Sequence, residues 1–326
     1  MQQDWLDFLH APHSDTSMEN SPNAGENYRA DLSPLAPISV RGADAASFLQ
    51  AQFSNDVMRL GESASQIASW CDAKGRVLAV IRIFRSDDAY VLLVPAELLE
   101  TLLKRLKMFV LRAKVELSDA SDALQRFALF GPQANKLLNE LGTAPDVDGV
   151  TVIQQVQCLR LPGDIPSYIC IGSLDVCKKL WNDLRDKTDS VPHETWQLCQ
   201  ILAGQSQVFT ATQGEFVPQM LNLHWLSGID FQKGCYPGQE VVARLQYRGT
   251  LKRRMFLAEL NADSTPQPGA VVTDSAGANI GQVVMAAPRS HDTQALLAVL
   301  KINAAEGAQI EGQMLELQTL PYSTPD

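Results

Sequence analysis

The chain carries the sequence Lys-Gly-Cys-Tyr-Pro-Gly-Gln-Glu at residues 233–240. Its apolar residues follow neither the period of a strand nor that of a helix. Gly234, Pro237 and Gly238 favour a tight backbone path with positions where a Cβ atom would be unwelcome. We therefore expect a loop whose geometry depends on Gly234 and Gly238.

The expected loop places several reactive or polar groups within reach of one small ligand: a thiol, an ammonium, a phenol, an amide and a carboxylate. Lys233 lies two residues from Cys235, and a nearby cation favours the thiolate, which is the reactive form of cysteine. On this interpretation Cys235 is the reactive group and Lys233 activates it. The alternative is a Gly-Pro turn whose polar groups satisfy each other and whose cysteine packs as a small hydrophobic residue.

The segment after the loop continues with Val-Val-Ala-Arg at 241–244, Arg-Gly at 248–249 and Lys-Arg-Arg at 252–254. Together these residues resemble the signature of the YgfZ family, folate-binding proteins related in fold to the aminomethyltransferase, or T-protein, of the glycine cleavage system. Weaker resemblances extend over most of the chain; they include residues 71–75, 130–132 and 216–223. The resemblance implies the α+β class, a T-protein-like ring of three domains, and tetrahydrofolate or another folate in a central channel.

The resemblance also implies which residues bind the folate. Trp196 would stack on the pteridine, because an indole offers a flat apolar face; such stacking contributes about 1 to 3 kcal/mol for nucleobases. The alternative is a core tryptophan on a stripe with Cys199 and Ala203. The other residues expected to bind folate, or to support the loop, are Tyr236, Gln239, Glu240 and Asn222.

By the same resemblance, we expect a folate-binding protein that supports the assembly or repair of iron-sulfur clusters, and thereby the cluster-dependent enzymes that modify tRNA. The alternative is a folate-dependent one-carbon transferase or demethylase of the aminomethyltransferase type. Two departures from the T-protein pattern disfavour aminomethyl transfer: residues 95–102 contain no Asp, and residues 162–168 lack a Gly-Tyr-Thr-Gly-Glu type of loop. An accessory protein is therefore preferred over an enzyme that turns over a substrate.

The net charge of -10 and the pI near 5.0 argue against a protein whose main activity is binding phosphate backbones, since that affinity depends on Lys and Arg. Between residues 233 and 254, however, six basic residues accompany one acidic residue. They form either a solvated face or a basic patch for an anionic ligand tail or an acidic partner. Direct tRNA binding by this patch is a third hypothesis. The patch residues of main interest are Arg244, Arg248 and Arg253.

Composition points to a soluble globular protein, with 45% hydrophobic and 20% charged residues and no apolar run long enough for a membrane span. The first residues show no secretory signal. The six cysteines have no C-x-x-C spacing, so we expect neither a metal site nor a disulfide framework, and a reducing cytoplasm fits them best. His224 is expected to be a capping or packing histidine and not a partner of Cys235.

Three regions are expected along the chain. Residues 1–34 should be a flexible segment, with a short helix possible in the first ten residues. Residues 35–254 should form two interleaved α+β folate-binding domains, the first over about 35–120 and the second over about 121–254. Patterns in this part predict a hairpin over 76–84 and 89–94, a leucine-striped helix after Pro95, and another hairpin with one strand over 150–161. Residues 255–326 should form a small antiparallel barrel.

Overall fold

The computed structural model describes residues 2–9 and 26–324. The α-helices in these ranges are α1 (Gln2–Leu9), α2 (Ala45–Gln50), α3 (Leu99–Lys107), α4 (Ala134–Leu141), α5 (Leu174–Asp183), α6 (His193–Leu202) and α7 (Gln239–Arg248). Short 3-10 helices lie at Val57–Arg59, Ala96–Leu98, Arg185–Lys187, Thr210–Thr212, Pro218–Leu221 and Ile302–Ala304.

The strands of the body are β1 (Tyr28–Asp31), β2 (Leu35–Arg41), β3 (Ser65–Cys71), β4 (Val77–Ser86), β5 (Ala89–Pro95), β6 (Glu116–Asp119), β7 (Gln125–Phe130), β8 (Val150–Ile153), β9 (Val156–Leu161), β10 (Ser167–Gly172) and β11 (Asp189–Val191). The remaining strands are β12 (Arg253–Asn261), β13 (Val271–Thr273), β14 (Asn279–Pro288), β15 (Thr293–Lys301), β16 (Gln309–Ile310) and β17 (Gln313–Gln318). The strand pairs are antiparallel except β1 with β11, and helices pack on the sheets, which confirms the predicted α+β class.

The first sheet is antiparallel and has the strand order β3-β4-β5-β2-β6. β4 and β5 form the predicted hairpin, whose turn has Asp87 at φ 51°, a conformation that Asp tolerates better than most residues. The predicted leucine stripe is also confirmed, because Leu98, Leu102 and Leu106 are buried in the core under this sheet. α2 and α3 thus cover one face and leave the other for the second sheet.

The second sheet has the order β11-β1-β7-β10-β9-β8, and all its pairs are antiparallel except β1 with β11. Side chains alternate along its central strand β7. Phe127 and Leu129 enter the core covered by α1, α4 and α5, whereas Ala128 and Phe130 enter the core shared with the first sheet and α6. Both faces of β7 are therefore buried, and the shared core lies at the centre of the molecule.

The N-terminal segment is more ordered than the sequence predicts. Trp5 of α1 is fully buried, and its indole Nε1 donates to Asp31 Oδ1 at 2.9 Å. β1 lies between β7 and β11, so residues 28–31 form a strand of the second sheet and not part of a flexible segment as the sequence predicted. The polar residues around β1 suggested a tether, but Arg29 is buried and donates to the carbonyls of Trp181 and Thr188. Residues 10–25 lie outside the described residues.

The C-terminal part confirms the predicted antiparallel barrel. Its strands close in the order β12-β15-β14-β13-β16-β17, with β17 paired to β12. The chain then returns to the body, where the Tyr322 hydroxyl donates to the carbonyl of Gly204 at 3.2 Å. This contact fixes the barrel beside the end of α6. No helix in the described residues is long and apolar enough to cross a membrane.

Candidate functional site

The cysteine loop, which we define as residues 230–238, connects the body to α7. Cys235 is exposed on it, whereas the other cysteines, Cys71, Cys158, Cys170, Cys177 and Cys199, are all buried. Gln239 and Glu240 are the first residues of α7, so the predicted loop ends earlier than the sequence interpretation had it. Glu240 is exposed and Gln239 is half-buried. The loop therefore presents its thiol to solvent at the start of a helix.

In the described contacts the Lys233 ammonium bonds to three backbone carbonyls and not to the Cys235 thiol. The ammonium is buried and donates to the carbonyls of Gln50 (2.6 Å), Phe53 and Asn55 (3.0 Å). Three N–H bonds are all that an ammonium can donate. Burial lowers the pKa of Lys233 to about 8, with Asp56 and Asp230 acting in the opposite direction. The geometry makes Lys233 a cap for the end of α2.

Of the two glycines in the loop, the backbone requires glycine at position 238 but not at position 234. Gly238 has φ 79°, and a Cβ atom there would lie 2.5 Å from the carbonyl oxygen of Asp72 and from the Cα of Gly75. Gly238 therefore lets α7 begin directly against the turn between β3 and β4. Gly234 has open space around it and no positive φ, so the prediction that it sets the loop geometry has no steric basis.

Tyr236 and Asn222 are both buried. Burial, together with the nearby Cys71 thiol, raises the pKa of Tyr236, and the ring lies 5.2 Å from the Lys233 ammonium. Asn222 Nδ2 donates to the carbonyl of Met255 at 3.1 Å and to the Tyr322 hydroxyl at 3.2 Å. Asn222 thus joins the body to the barrel. Neither residue lines the cavity between the two sheets and α6.

The basic patch is divided in the structure. Arg244 and Arg248 are exposed on α7, four residues apart and hence on one face of the helix. Arg253 is the first residue of β12. It lines a cavity together with Arg76 and Glu215, and neither Arg244 nor Arg248 lines that cavity. The structure therefore does not bring the three arginines together as a single ligand site.

A central cavity lies between the two sheets and α6. Its apolar wall is formed by Leu35, Ile67, Val80, Leu93, Leu161 and Ile169. Trp196 lines the same cavity and is 3% exposed. The cavity is narrow, about 50 Å³, so a flat ligand could enter only if side chains of the wall moved apart.

Unpaired polar atoms accumulate around this cavity. Trp196 Nε1, Gln205 Nε2 and Ser206 Oγ are buried and have no hydrogen-bond partner among the described residues. Buried polar groups are paired in most proteins, so three such atoms around one cavity indicate a polar ligand or bound water. Sequence analysis missed Gln205 and Ser206, although they directly follow Gly204, because no motif marks them. No group of His, Cys, Asp and Glu in the described ranges is arranged to hold a metal ion.

His224 lies beside Trp225, with ring centroids 4.3 Å apart, and is not placed as a partner of Cys235 by any contact of the described residues. Its Nδ1 atom is buried and has no hydrogen-bond partner within residues 2–9 and 26–324. Burial lowers the pKa of His224 from 6.5 to about 4. The imidazole is therefore neutral at physiological pH, as a packing histidine would be.

This depressed pKa predicts a pH dependence of stability. Between about pH 6.5 and pH 4 the unfolded chain binds a proton at His224 that the folded chain does not bind, so stability falls as the pH falls. Allowing for solvent screening at a half-buried site, we expect His224 to account for a loss of up to about 2 kcal/mol over that window. The measurement is the free energy of unfolding of the protein and of a His224→Gln variant from pH 7 to pH 4.5. An unchanged pH profile in the variant would contradict the prediction.

Comparison with known proteins identifies the fold and the family. The model of the GCVT N-terminal domain matches residues 28–155. The crystal structure of the glycine cleavage system aminomethyltransferase T from Bartonella henselae is similar, with a TM-score of 0.75 and 16% identity over 91% of this chain and 86% of that one. The molecule therefore has the T-protein fold, as the sequence predicted.

Two curated relatives carry the name tRNA-modifying protein YgfZ. The one from Colwellia psychrerythraea is 33% identical over 307 residues, which is 91% of this chain and 94% of the relative. The one from Klebsiella pneumoniae is 31% identical over 306 residues, 90% of this chain and 93% of the relative. The chain belongs to the YgfZ family.

Proposed function

We propose that the central cavity binds tetrahydrofolate or a close folate derivative. The observation that carries this proposal is the set of three unpaired buried polar atoms, Trp196 Nε1, Gln205 Nε2 and Ser206 Oγ, around one largely apolar cavity. A pterin is flat and apolar on its faces and has hydrogen-bonding groups along its edge. Nε1 of Trp196 and Nε2 of Gln205 can only donate, and a pterin edge offers a carbonyl and ring nitrogens that accept. Tyr236, Asn222, Gln239 and Glu240 have no part in this version of the site.

The narrowness of the cavity adds a condition to the proposal. Trp196 is on α6, and the opposite walls belong to the two sheets, so a pterin must move the indole or the aliphatic side chains to enter. Once bound, tetrahydrofolate would supply a carrier for one-carbon groups. The protein itself would supply the stacking face, the polar contacts and the exclusion of water.

The relatives called tRNA-modifying protein YgfZ support a second part of the proposal. We propose that this protein likewise acts in tRNA modification, as a cytoplasmic accessory protein that supports the assembly or repair of iron-sulfur clusters in its client enzymes. Cys235 is the group that would face such a client, because it is the one exposed thiol among the cysteines. Folate binding would then regulate this accessory activity.

Calorimetric titration with tetrahydrofolate tests the first part, with two substitutions of Trp196. Trp196→Phe keeps an aromatic face, and we expect its dissociation constant to lie within about threefold of the wild-type value. Trp196→Leu fills similar space without an aromatic face, and we expect binding to weaken about tenfold or more. If both variants fold and bind tetrahydrofolate with the wild-type affinity, Trp196 is a core residue only.

A separate assay addresses turnover. The protein is incubated with tetrahydrofolate and candidate methyl or aminomethyl donors, and the folate products are measured. An accessory protein is expected to bind the folate and leave the donors unchanged. Catalytic turnover would instead favour the folate-dependent transferase or demethylase.

A further inference from the structure

A second cavity, the Trp225 pocket, lies at the C-terminal end of α7, where the helix meets the start of β12. It has a volume of about 460 Å³, a size typical of ligand pockets, and shares no lining residue with the central cavity. The residues that matter for its chemistry are Gln219, His224, Trp225 and Arg254.

Two unpaired polar atoms point to a ligand in the Trp225 pocket. Gln219 is 2% exposed, and its Nε2 donates to the carbonyl of Val242 at 2.7 Å. Its Oε1 is buried without a partner in the described part of the chain, and so is Nδ1 of His224. Because the Gln219 amide is oriented by the bond to Val242, Oε1 can only accept a hydrogen bond. A ligand that fills this position must carry an N–H or O–H group.

The rest of the pocket adds an aromatic face and a positive charge. The Arg254 guanidinium lies 6.0 Å from the ring centroid of Trp225 and 4.6 Å from that of Phe256. No Asp or Glu is among the described residues that line the pocket, so the charge of Arg254 is not balanced there. Burial lowers the pKa of His224 to about 4, so its imidazole adds no positive charge at neutral pH. The lining thus favours a flat ligand with an anionic group.

We propose that the Trp225 pocket binds a nucleotide, whose base lies against Trp225 and donates an N–H hydrogen bond to Gln219 Oε1 while its phosphate lies beside Arg254. Bases combine a flat apolar face with N–H groups at the edge, and Arg is well suited to phosphate. The nucleotide is either a free mononucleotide or one residue of single-stranded RNA. This site depends on one base and one phosphate, which is compatible with a chain of net charge -10.

Calorimetric titration of the full chain with AMP, adenosine and orthophosphate tests the proposal. AMP is expected to bind saturably, and adenosine about tenfold more weakly because it lacks the charge that Arg254 recognises. In Arg254→Gln, AMP and adenosine should bind alike. Lys252→Gln removes a neighbouring exposed cation that does not line the pocket, and it should bind AMP as the wild type does.

Further arms of the same titration separate the alternatives. Trp225→Leu is expected to weaken AMP binding about tenfold. A ten-residue oligoadenylate that binds about tenfold more tightly than AMP, with the same dependence on Arg254, assigns the pocket to single-stranded RNA, whereas equal affinities assign it to the free nucleotide. The proposal is overturned if AMP does not bind or if orthophosphate binds as tightly as AMP. It is also overturned if Arg254→Gln and Trp225→Leu both leave the affinity for AMP unchanged, or if tetrahydrofolate displaces AMP.

Discussion

Brief alkylation of the folded protein with limiting iodoacetamide is expected to modify Cys235 before any of the other five cysteines. Cys235 is exposed, whereas each of the others must wait for a local opening of the structure. Burial raises the pKa of Cys71, Cys177 and Cys199 to about 12, which further suppresses their thiolates. We expect Cys235 to react on the order of a hundredfold faster than the buried cysteines. A free energy of local opening of about 3 kcal/mol at a buried cysteine is enough for that ratio. Peptide mass mapping after a short pulse gives the measurement.

The matched variant for this prediction is Cys235→Ser. Since the side chain is exposed and the change nearly isosteric, the free energy of unfolding should change by less than about 0.5 kcal/mol. If Cys235 contacts a client protein, this variant should fail to support iron-sulfur enzymes in cells that lack the native protein. Full rescue by the serine variant, or faster labelling of a buried cysteine, would indicate that the cysteine loop is only a structural turn.

Local patterns in the sequence predict those elements whose partners are close along the chain. The hairpin of β4 and β5 and the helix α3 follow from alternation, turn residues and a leucine stripe. The same reasoning fails at residues 150–161, predicted as one strand but split into β8 and β9. The turn between them has Gln154 and Gln155 at φ 49° and 67°. Glutamine is rarely chosen for that conformation, so the sequence carries no turn signal there.

Contacts between distant segments explain the other failures. β1 is short and polar in composition, and only its pairing with β7 and β11 makes it a strand. The central cavity combines Trp196, which the family signature indicates, with Gln205 and Ser206, which are polar residues of ordinary appearance in the sequence. Their significance is that folding buries Gln205 Nε2 and Ser206 Oγ without a hydrogen-bond partner among the described residues. This property depends on tertiary packing and cannot be inferred from spacing.

The interpretation of Lys233 leads to the sharpest test of the cysteine loop. In the sequence, its separation of two residues from Cys235 suggested an electrostatic activator. In the structure, its ammonium is bonded to the carbonyls of Gln50, Phe53 and Asn55, which are some 180 residues away along the chain. The two interpretations predict opposite results for one substitution.

A Lys233→Met variant is expected to lose about 4 kcal/mol of the free energy of unfolding, because three backbone carbonyls, one of them in a buried bond and two in half-buried bonds, lose a charged donor. The methionine keeps most of the aliphatic volume, so the loss reports the hydrogen bonds. Lys74→Met, in the neighbouring exposed turn, is the control and should change stability by less than about 0.5 kcal/mol. Denaturant unfolding measures both variants. If Lys233→Met retains wild-type stability but slows the alkylation of Cys235, Lys233 acts on the thiol; if stability falls as expected, its role is to hold the cysteine loop against the end of α2.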